Sequence, residues 1–214
     1  VTNGRAAVFR SMDDHEAKEP PLAMLSGTAR GPMTDATSDA SLLERTARGD
    51  AAAFEALFQR HYDRVYGILF RLVGERGEAE DLAQEVFLRL HDHARRRRLD
   101  ENVGAWLYRV ATNLGYNALR DRRRRRQRDV HLLPAEVGDA EADAARREER
   151  RAVRAALATL SQRQAQLLVL RQMEFSYAEC AAVVGVAPTS VGALLARAAR
   201  AFREAYEKQT AASR

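Results

Sequence analysis

The sequence is poor in the residues and segments that build disulfide frameworks, membrane spans and catalytic sites. Its single cysteine, Cys180, excludes an intrachain disulfide and fits a reducing compartment. No apolar run approaches the roughly 20 residues that cross a bilayer, and the start of the chain shows no charged-then-apolar targeting pattern. No nucleophile–base pair, carboxylate dyad, glycine-rich phosphate loop or metal-ligand cluster is evident. We therefore expect a cytoplasmic protein that is not an enzyme and has no cofactor, metal site or membrane insertion.

Apolar periodicity is absent from the two ends of the chain. Residues 1–38 combine glycine, proline and small polar residues, which predicts a disordered extension. Met33 stands just before the first patterned segment, so we expect the working chain to begin near it. The sequence leaves open whether Val1 or Met33 marks the true start. Residues 209–214 are expected to form a disordered tail.

The sequence is rich in charged residues, and arginine in particular. Charged residues make up 30% of the sequence, the formal net charge is +5, and the isoelectric point is about 9.8. Arginine is clustered, with an unbroken arginine run at 122–126. A basic chain with clustered arginine favours an anionic partner such as nucleic acid.

Apolar residues recur at helical spacing on both sides of an acidic segment, which predicts an all-α fold. We expect two small helical domains, at residues 39–126 and 149–208. A flexible acidic linker at 127–148 joins them, and its negative charge keeps it away from DNA. We therefore expect two binding domains that are joined by one flexible linker.

Local signals indicate where the helices of the first domain begin and end. Asp50 is a candidate N-cap, and Gly74 is a candidate C-cap for the same helix. His61 lies on the apolar stripe of that helix and is interpreted as a packed core histidine rather than a ligand. A further helix is predicted over Glu78–Leu90, followed by a basic, polar loop over His91–Gly104.

The next two helices of the first domain carry different outer faces. Asp81, Gln84 and Glu85 form an acidic and amide face that suits a protein partner. The following helix begins near Trp106, which we interpret as core more than as a stacking platform for a base. Its outer side carries a stripe at i, i+4, i+8 and i+11 that runs into the arginine cluster and suits a polyphosphate. The stripe consists of Arg109, Asn113, Asn117 and Arg120.

The second domain contains the pattern of a helix-turn-helix. Capping boxes begin two of its helices, Ser161 with Gln164 and Ser176 with Glu179, and Gly185 begins the turn. The first turn of the last helix would face base edges, and later arginines and Arg171 would contact phosphates. The candidates nearest the bases are Thr189, Ser190, Gly192 and Ala193, and those nearest the phosphates are Arg197 and Arg200.

Together these blocks resemble the extracytoplasmic-function sigma factors of bacterial RNA polymerase, within the sigma-70 family. The first domain carries the resemblance in AFEALFQRHYDRVYGILFRLVG, AEDLAQEVFLRL and WLYRVATNLGYNALRDRRRRR. The second carries it in LATLSQRQAQLLVLRQMEFSYAECAAVVGVAPTSVGALLARAARAF. The resemblance covers most of the chain between Asp39 and Tyr206, in the order and with the gap that the family has.

The resemblance implies a function, partners and site residues. It implies a factor that binds core polymerase through the beta-prime clamp helices and the beta flap, selects promoters and promotes melting of the −10 element. An anti-sigma factor is a further implied partner. The implied polymerase contacts are Asp81, Gln84, Glu85 and Leu88. The implied −10 contacts are Arg97, Arg98, Asn102, Trp106, Arg109, Asn113, Asn117 and Arg120. The implied −35 contacts are Arg171, Thr189, Ser190, Gly192, Ala193, Arg197 and Arg200.

The recognition helix departs from the family's usual pattern. The family commonly has Thr-Val-Lys-Ser-Arg-Leu there, whereas residues 190–195 of this chain read Ser-Val-Gly-Ala-Leu-Leu, without the cationic positions. Ala187 also replaces a usual N-cap serine. We therefore expect −35 binding that depends more on shape and on polymerase contacts.

Two other functions are considered on the sequence alone. One is a helix-turn-helix regulator that binds duplex DNA without polymerase. The other is a helical adaptor between proteins whose arginines are only surface. The promoter sequence, the inducing signal and the identity of any anti-sigma factor cannot be read from the sequence.

Overall fold

Every element in the part of the chain that the structure describes is an α-helix, which confirms the predicted fold class. The computed structural model describes residues 38–96, 102–128 and 141–212, all within the unit Asp35–Arg214. Several predicted features lie outside the described residues. They are the disordered extension up to residue 37 with Met33, most of the linker, the last two residues of the tail, and the side chains Arg97 and Arg98.

Two groups of helices follow one another along the chain. The first group contains α1 (Asp39–Ala47), α2 (Ala51–Val73), α3 (Arg76–Arg96) and α4 (Val103–Arg128). The second group contains α5 (Glu141–Leu157), α6 (Gln162–Gln172), α7 (Tyr177–Val184) and α8 (Pro188–Ala212). Helix α5 begins inside the range assigned to the linker, and the domain limits stay a prediction.

Local capping places most helix ends where the sequence predicts them. The carboxylate of Asp50 accepts a hydrogen bond from the Ala53 amide over 3.1 Å at the start of α2. Gly74 ends the same helix in the left-handed conformation, with φ of 73°. The capping boxes at Ser161 and Ser176 are also present, so these predictions are confirmed.

Helix α3 is longer at both ends than predicted. Its start lies at Arg76 because the Glu75 carboxylate accepts hydrogen bonds from the amides of Gly77 and Glu78, at 2.8 and 2.6 Å. Its end lies at Arg96, so the prediction of a loop from His91 onward is wrong. Basic residues in the last turn interact favourably with the negative end of the helix dipole and sustain that extension.

The core of the first group lies between α2, α3 and α4. Leu57, Ile68 and Leu69 of α2 are fully buried, as are Val86 of α3 and Leu107 of α4. At about 25 cal/mol per Å² of buried apolar area, side chains of this size dominate the stability of the group.

Helices α2 and α4 approach closely at Gly115. A Cβ atom there would lie 2.7 Å from Cδ1 of Leu72, so the absence of a side chain permits this packing distance. The sequence does not single out this glycine, since it lies inside an otherwise regular helix.

Helix α8 carries the core of the second group. Val191, Leu195 and Ala198 are buried against α5, α6 and α7. Between α7 and α8, Gly185 has φ of 69°, a conformation that glycine adopts without steric cost. The resulting turn joins the pair of helices as a helix-turn-helix.

The second group packs on α4 of the first group, through α6 and α7. The sequence predicts two domains separated by a tether, and nothing in the apolar pattern predicts this contact. Among the described residues, no single helix has the length and apolarity to cross a membrane; α7 and most of α8 pass such a test only as a pair bent by 86°.

Candidate functional site: protein-binding and nucleic-acid-binding surfaces

The outer face of α3 is the candidate protein-binding surface. Asp81, Gln84 and Leu88 are exposed, and Glu85 is partly exposed and paired with Arg89 one turn later. Leu88 has 66% of its surface exposed and stands among charged and amide side chains. An exposed apolar side chain with a polar rim is typical of a protein-docking surface.

The start of α4 brings together the first candidate base contacts. Asn102 is exposed, and its side-chain oxygen accepts a hydrogen bond from the Ala105 amide over 3.1 Å. Asn102 therefore caps α4 in this structure. Trp106 is half-buried rather than fully in the core, and its ring lies 4.9 Å from the ring of His93, between centroids. Trp106 is therefore partly accessible to solvent.

The predicted stripe on α4 divides into a covered half and an open half. Arg109 donates hydrogen bonds from Nε to the carbonyl of Val183 and from Nη2 to the carbonyl of Ala182, at 2.9 and 2.7 Å. The side-chain oxygen of Asn113 accepts from Gln162, again across the contact between the two groups. Further along the helix, Asn117 and Arg120 are exposed.

The arginine cluster at the end of α4 divides in the same way. Arg122 pairs with Glu78 and donates to the carbonyl of Val73, so it holds the end of α2. Arg123 donates to the carbonyl of Ala158 over 3.1 Å. Arg124 and Arg125 are exposed and face solvent. Part of the cluster that the sequence assigns to a polyphosphate is therefore structural.

Thr112 and Gln166 lie beside the stripe on α4, and the sequence analysis did not identify them. Both are buried, and Gln166 donates to the Thr112 hydroxyl over 3.1 Å and to Asn113 over 2.6 Å. Buried polar side chains that satisfy one another specify one packing arrangement. The recurrence of glutamine at 162 and 166, one turn apart, is the sequence signal that could have pointed to them.

The first turn of α8 is open to solvent. Thr189, Ser190 and Ala193 are exposed, and Gly192 is partly covered by the ring of Tyr177. Ala187 offers no side-chain cap, and its carbonyl accepts from the Ser190 amide over 2.9 Å. The side chains at the start of α8 are therefore accessible from solvent.

The three candidate phosphate contacts of the second group differ in exposure. Arg197 and Arg200 are exposed along α8. Arg171 is half-buried, donates to the carbonyl of Phe175 and lies over the ring of Tyr177, 5.2 Å from its centroid. In this structure Arg171 stabilises the start of the helix-turn-helix.

The titratable groups of the described residues form no catalytic arrangement. Cys180 is fully buried, and burial raises the pKa of its thiol to about 11, so it is a poor nucleophile. Across the described ranges, no group of three or more His, Cys, Asp and Glu side chains is placed to hold a metal ion.

Comparison with known families identifies the two groups of helices separately. Residues 57–125 match the family described as Sigma-70 region 2. Residues 150–202 match the family described as Sigma-70, region 4. Both matches place the surfaces described above inside the matched ranges.

Relatives with similar sequences carry corresponding names. The chain is 37% identical over 93 residues to the RNA polymerase sigma-H factor of Pseudomonas aeruginosa, covering 44% of this chain and 48% of that protein. It is thus matched to about half the length of this relative. It is 34% identical over 163 residues to the ECF RNA polymerase sigma factor SigM of Mycobacterium tuberculosis, covering 75% of this chain and 81% of SigM.

A solved structure shares the fold. The structure of CnrH in complex with the cytosolic domain of CnrY superposes with a TM-score of 0.55 at 21% sequence identity. The alignment covers 79% of this chain and 97% of CnrH.

Proposed function

This chain belongs to the extracytoplasmic-function sigma factors of the sigma-70 family, and on that basis we propose that it directs core RNA polymerase to a class of promoters. It binds the core enzyme in the cytoplasm, positions it on promoter DNA and promotes melting of the −10 element. It performs no chemical step of its own. The observation that supports the proposal is that Leu88 is exposed among polar side chains on α3, while arginines are exposed on α4 and α8.

The outer face of α3 is the proposed polymerase-docking surface. Leu88 would supply the apolar anchor, and Asp81 and Gln84 would supply the polar rim against the beta-prime clamp helices. Apolar anchors inside a polar rim account for most of the binding energy in interfaces of this kind. The second group of helices would contact the beta flap.

The start of α4 and its outer stripe are the proposed −10 surface. Asn117 and Arg120 would contact backbone phosphates, and Trp106 with the preceding loop would receive bases turned out of the duplex. Arg97 and Arg98 of that loop are retained as proposed contacts. Turning out a base costs a few kcal/mol, which stacking on an aromatic ring partly offsets.

The first turn of α8 is the proposed −35 surface. Thr189, Ser190, Gly192 and Ala193 would lie against base edges, with Arg171, Arg197 and Arg200 on phosphates. This turn presents no cation to the bases. We therefore propose weak base reading at −35, supplemented by polymerase contacts. An anti-sigma factor is proposed as the regulatory partner, because the family commonly has one.

The docking assignment is tested by replacing Gln84 and Glu85 with alanine together. Core-polymerase affinity should fall by roughly tenfold or more, as expected when polar contacts beside an apolar anchor are lost. Affinity is measured by titrating core enzyme with a fluorescently labelled chain, and folding is checked by circular dichroism.

Glu55 and Gln59 provide a matched control for this experiment. They form an exposed hydrogen-bonded pair on α2, outside the proposed docking face. Their replacement by alanine should leave core affinity unchanged. Equal affinity of the Gln84–Glu85 variant and the parent would contradict the docking surface, and a parent without tight core binding would contradict the proposed function as a whole.

A further inference from the structure

Two histidines near the end of α3 each pack on an aromatic ring of another helix. The ring of His93 lies 4.9 Å from the ring of Trp106 on α4, between centroids, with an angle of 30° between the two planes. The ring of His91 lies 5.6 Å from the ring of Phe54 on α2 and meets it edge-on, at 81°. The end of α3 is therefore joined to α4 by one histidine and to α2 by the other.

The contact between His93 and Trp106 is a stacking contact. Rings with centroids this close and planes this nearly parallel overlap in part face to face, in the offset arrangement that aromatic pairs favour. The imidazole therefore lies against one face of the indole. Trp106 is only half-buried, so part of its ring is still accessible from solvent.

The backbone of Trp106 is fixed by the first turn of α4. Its amide donates to the carbonyl of Asn102 over 3.0 Å, and the side chain of Asn102 accepts from the amide of Ala105. These bonds leave the two side-chain torsion angles of the tryptophan unrestricted. Contact with the imidazole restricts them, because rotation of the indole would separate the stacked faces. The ring is thus held in one orientation before any ligand arrives.

The side chains around Trp106 suit a nucleic acid. Arg95 and Arg96 are exposed in the same last turn of α3 as His93, and Asn102 is exposed one turn before the tryptophan. Basic groups beside an aromatic ring are the combination by which proteins bind single strands, with phosphates near the cations and bases stacked on the ring. An imidazole has an apolar face for the indole and a polar edge for water, so it can support the ring at a hydrated surface.

We propose that His93 is a positioning residue for Trp106: it holds the indole in the orientation in which a base turned out of the −10 duplex stacks on it. This inference rests on the proposed function and adds to it a residue outside the proposed DNA contacts. A mobile indole would have to be immobilised when the base binds, and that loss of freedom would lower the affinity. Stacking on His93 removes this cost in advance.

The first measurement follows the motion of the indole in the free chain. Trp106 is the only tryptophan of the chain, so its fluorescence reports on this ring alone. Time-resolved fluorescence anisotropy should show a larger amplitude of fast ring motion in His93→Ala than in the parent. His93→Phe keeps a flat ring and should stay close to the parent. Circular dichroism checks that each variant is folded.

His91→Ala is the matched control. It removes the same kind of side chain two positions away on α3, but from the contact with Phe54. It should leave the motion of the indole unchanged.

The second measurement gives the affinity for an unpaired −10 segment. The probe is a labelled promoter fragment, chosen by run-off transcription of genomic fragments with core polymerase and the parent chain, whose −10 segment is opened by non-complementary bases. Core polymerase assembled with His93→Ala should bind this probe roughly three- to tenfold more weakly, as expected when one side chain is no longer preorganised. His93→Phe should restore most of the affinity, and His91→Ala should match the parent. Core affinity should be equal for all variants.

Trp106→Leu separates positioning from direct contact, because it keeps apolar bulk but has no aromatic ring. It should weaken probe binding, and adding His93→Ala to it should weaken binding no further, since two residues that act through one contact are not additive. An additional loss in the double variant overturns the proposal, and so does Trp106→Leu with the probe affinity of the parent.

Unchanged ring motion or unchanged probe affinity in His93→Ala also overturns the proposal. Failure of the proposed function looks different: core polymerase with the parent chain would then start transcription on none of the fragments. The anisotropy of the free chain still decides in that case whether His93 holds Trp106.

Discussion

At the scale of single residues, His61 joins three helices of the first group. Its Nδ1 lies 2.8 Å from the hydroxyl of Tyr108 on α4, and its Nε2 lies 2.7 Å from the carboxylate of Asp39 on α1. The side chain is buried, which confirms its interpretation as a packed core histidine. Helical spacing predicts its burial, but it cannot predict partners that lie 22 and 47 positions away.

His61→Ala should lower the free energy of unfolding by roughly 2 kcal/mol. The substitution leaves the Tyr108 hydroxyl and the Asp39 carboxylate without one partner each, and a polar group that loses a buried partner costs about 1–3 kcal/mol. Urea unfolding followed by circular dichroism gives the value. Gln59→Ala, an exposed change on the same helix, should stay within about 0.5 kcal/mol of the parent. An equal loss in both variants would refute the role of the network.

At the scale of elements, α7 depends on the caps at its two ends. Ser176 and Glu179 form a reciprocal capping box at its start, with the Glu179 carboxylate accepting from the Ser176 amide over 2.8 Å. The Ser176 hydroxyl holds the pKa of Glu179 below its ordinary value of 4.5. At its other end, Arg109 binds the last carbonyls. A short helix is thus fixed by its termini, since eight residues cannot sustain it alone.

Ser176→Ala should destabilise the fold by about 1 kcal/mol at neutral pH, as N-cap losses typically do. The pH dependence has a definite sign. Because the pKa of Glu179 is lowered in the folded chain, its stabilising effect is fully present above about pH 4.5 and is lost as the pH falls through the folded value. The difference in unfolding free energy between the parent and Ser176→Ala should therefore become smaller at acidic pH.

Thermal unfolding at neutral pH and at about pH 3 checks this expectation. Ser190→Ala is a suitable control, since Ser190 is exposed in the first turn of α8. A difference between parent and Ser176→Ala that widens in acid would argue against the capping box as its source.

Helix ends were predictable where the signal is local. Asp50, Gly74, Ser161 and Ser176 act through bonds to residues three or four positions away, and the structure confirms each of them. The extension of α3 to Arg96 was not predictable from apolar spacing, because most residues of its last turn are basic and are stabilised by the helix dipole.

At the scale of the whole molecule, the contact between the two groups is the feature that sequence reasoning missed. An outward stripe such as Arg109 and Asn113 indicates a polar partner, but it does not distinguish a phosphate from a helix end of the same chain. The roles of the glutamines at 162 and 166 and of Gly67 could not be predicted from the sequence, because their partners lie in the other group of helices. The surfaces on α3 and α8 lie where the sequence places them; their roles stay predictions.

The positive charge of the molecule is also distributed unevenly. Arg125 and Arg128 are exposed at the end of α4, beyond the covered part of the −10 surface. Arg48, which directly follows α1, and Arg89 on α3 are also exposed, but they pair with glutamates one turn away. Two variants with the same net charge can therefore differ in the positive charge at the end of α4 that is available to DNA.

Replacing Arg125 and Arg128 with alanine should reduce the salt dependence of single-stranded DNA binding. Each phosphate contact on a single strand contributes about 0.7 to the slope of log affinity against log salt concentration, so the slope should fall by about 1.4. The slope is measured by anisotropy titrations at several salt concentrations.

Replacing Arg48 and Arg89 with alanine is the matched control. It lowers the net charge from +5 by the same amount but should leave the slope close to that of the parent. If both double variants lose the same slope, overall charge governs binding and the end of α4 is not a DNA-contacting surface. If only the Arg125–Arg128 variant loses it, phosphates are bound where α4 leaves the first group of helices.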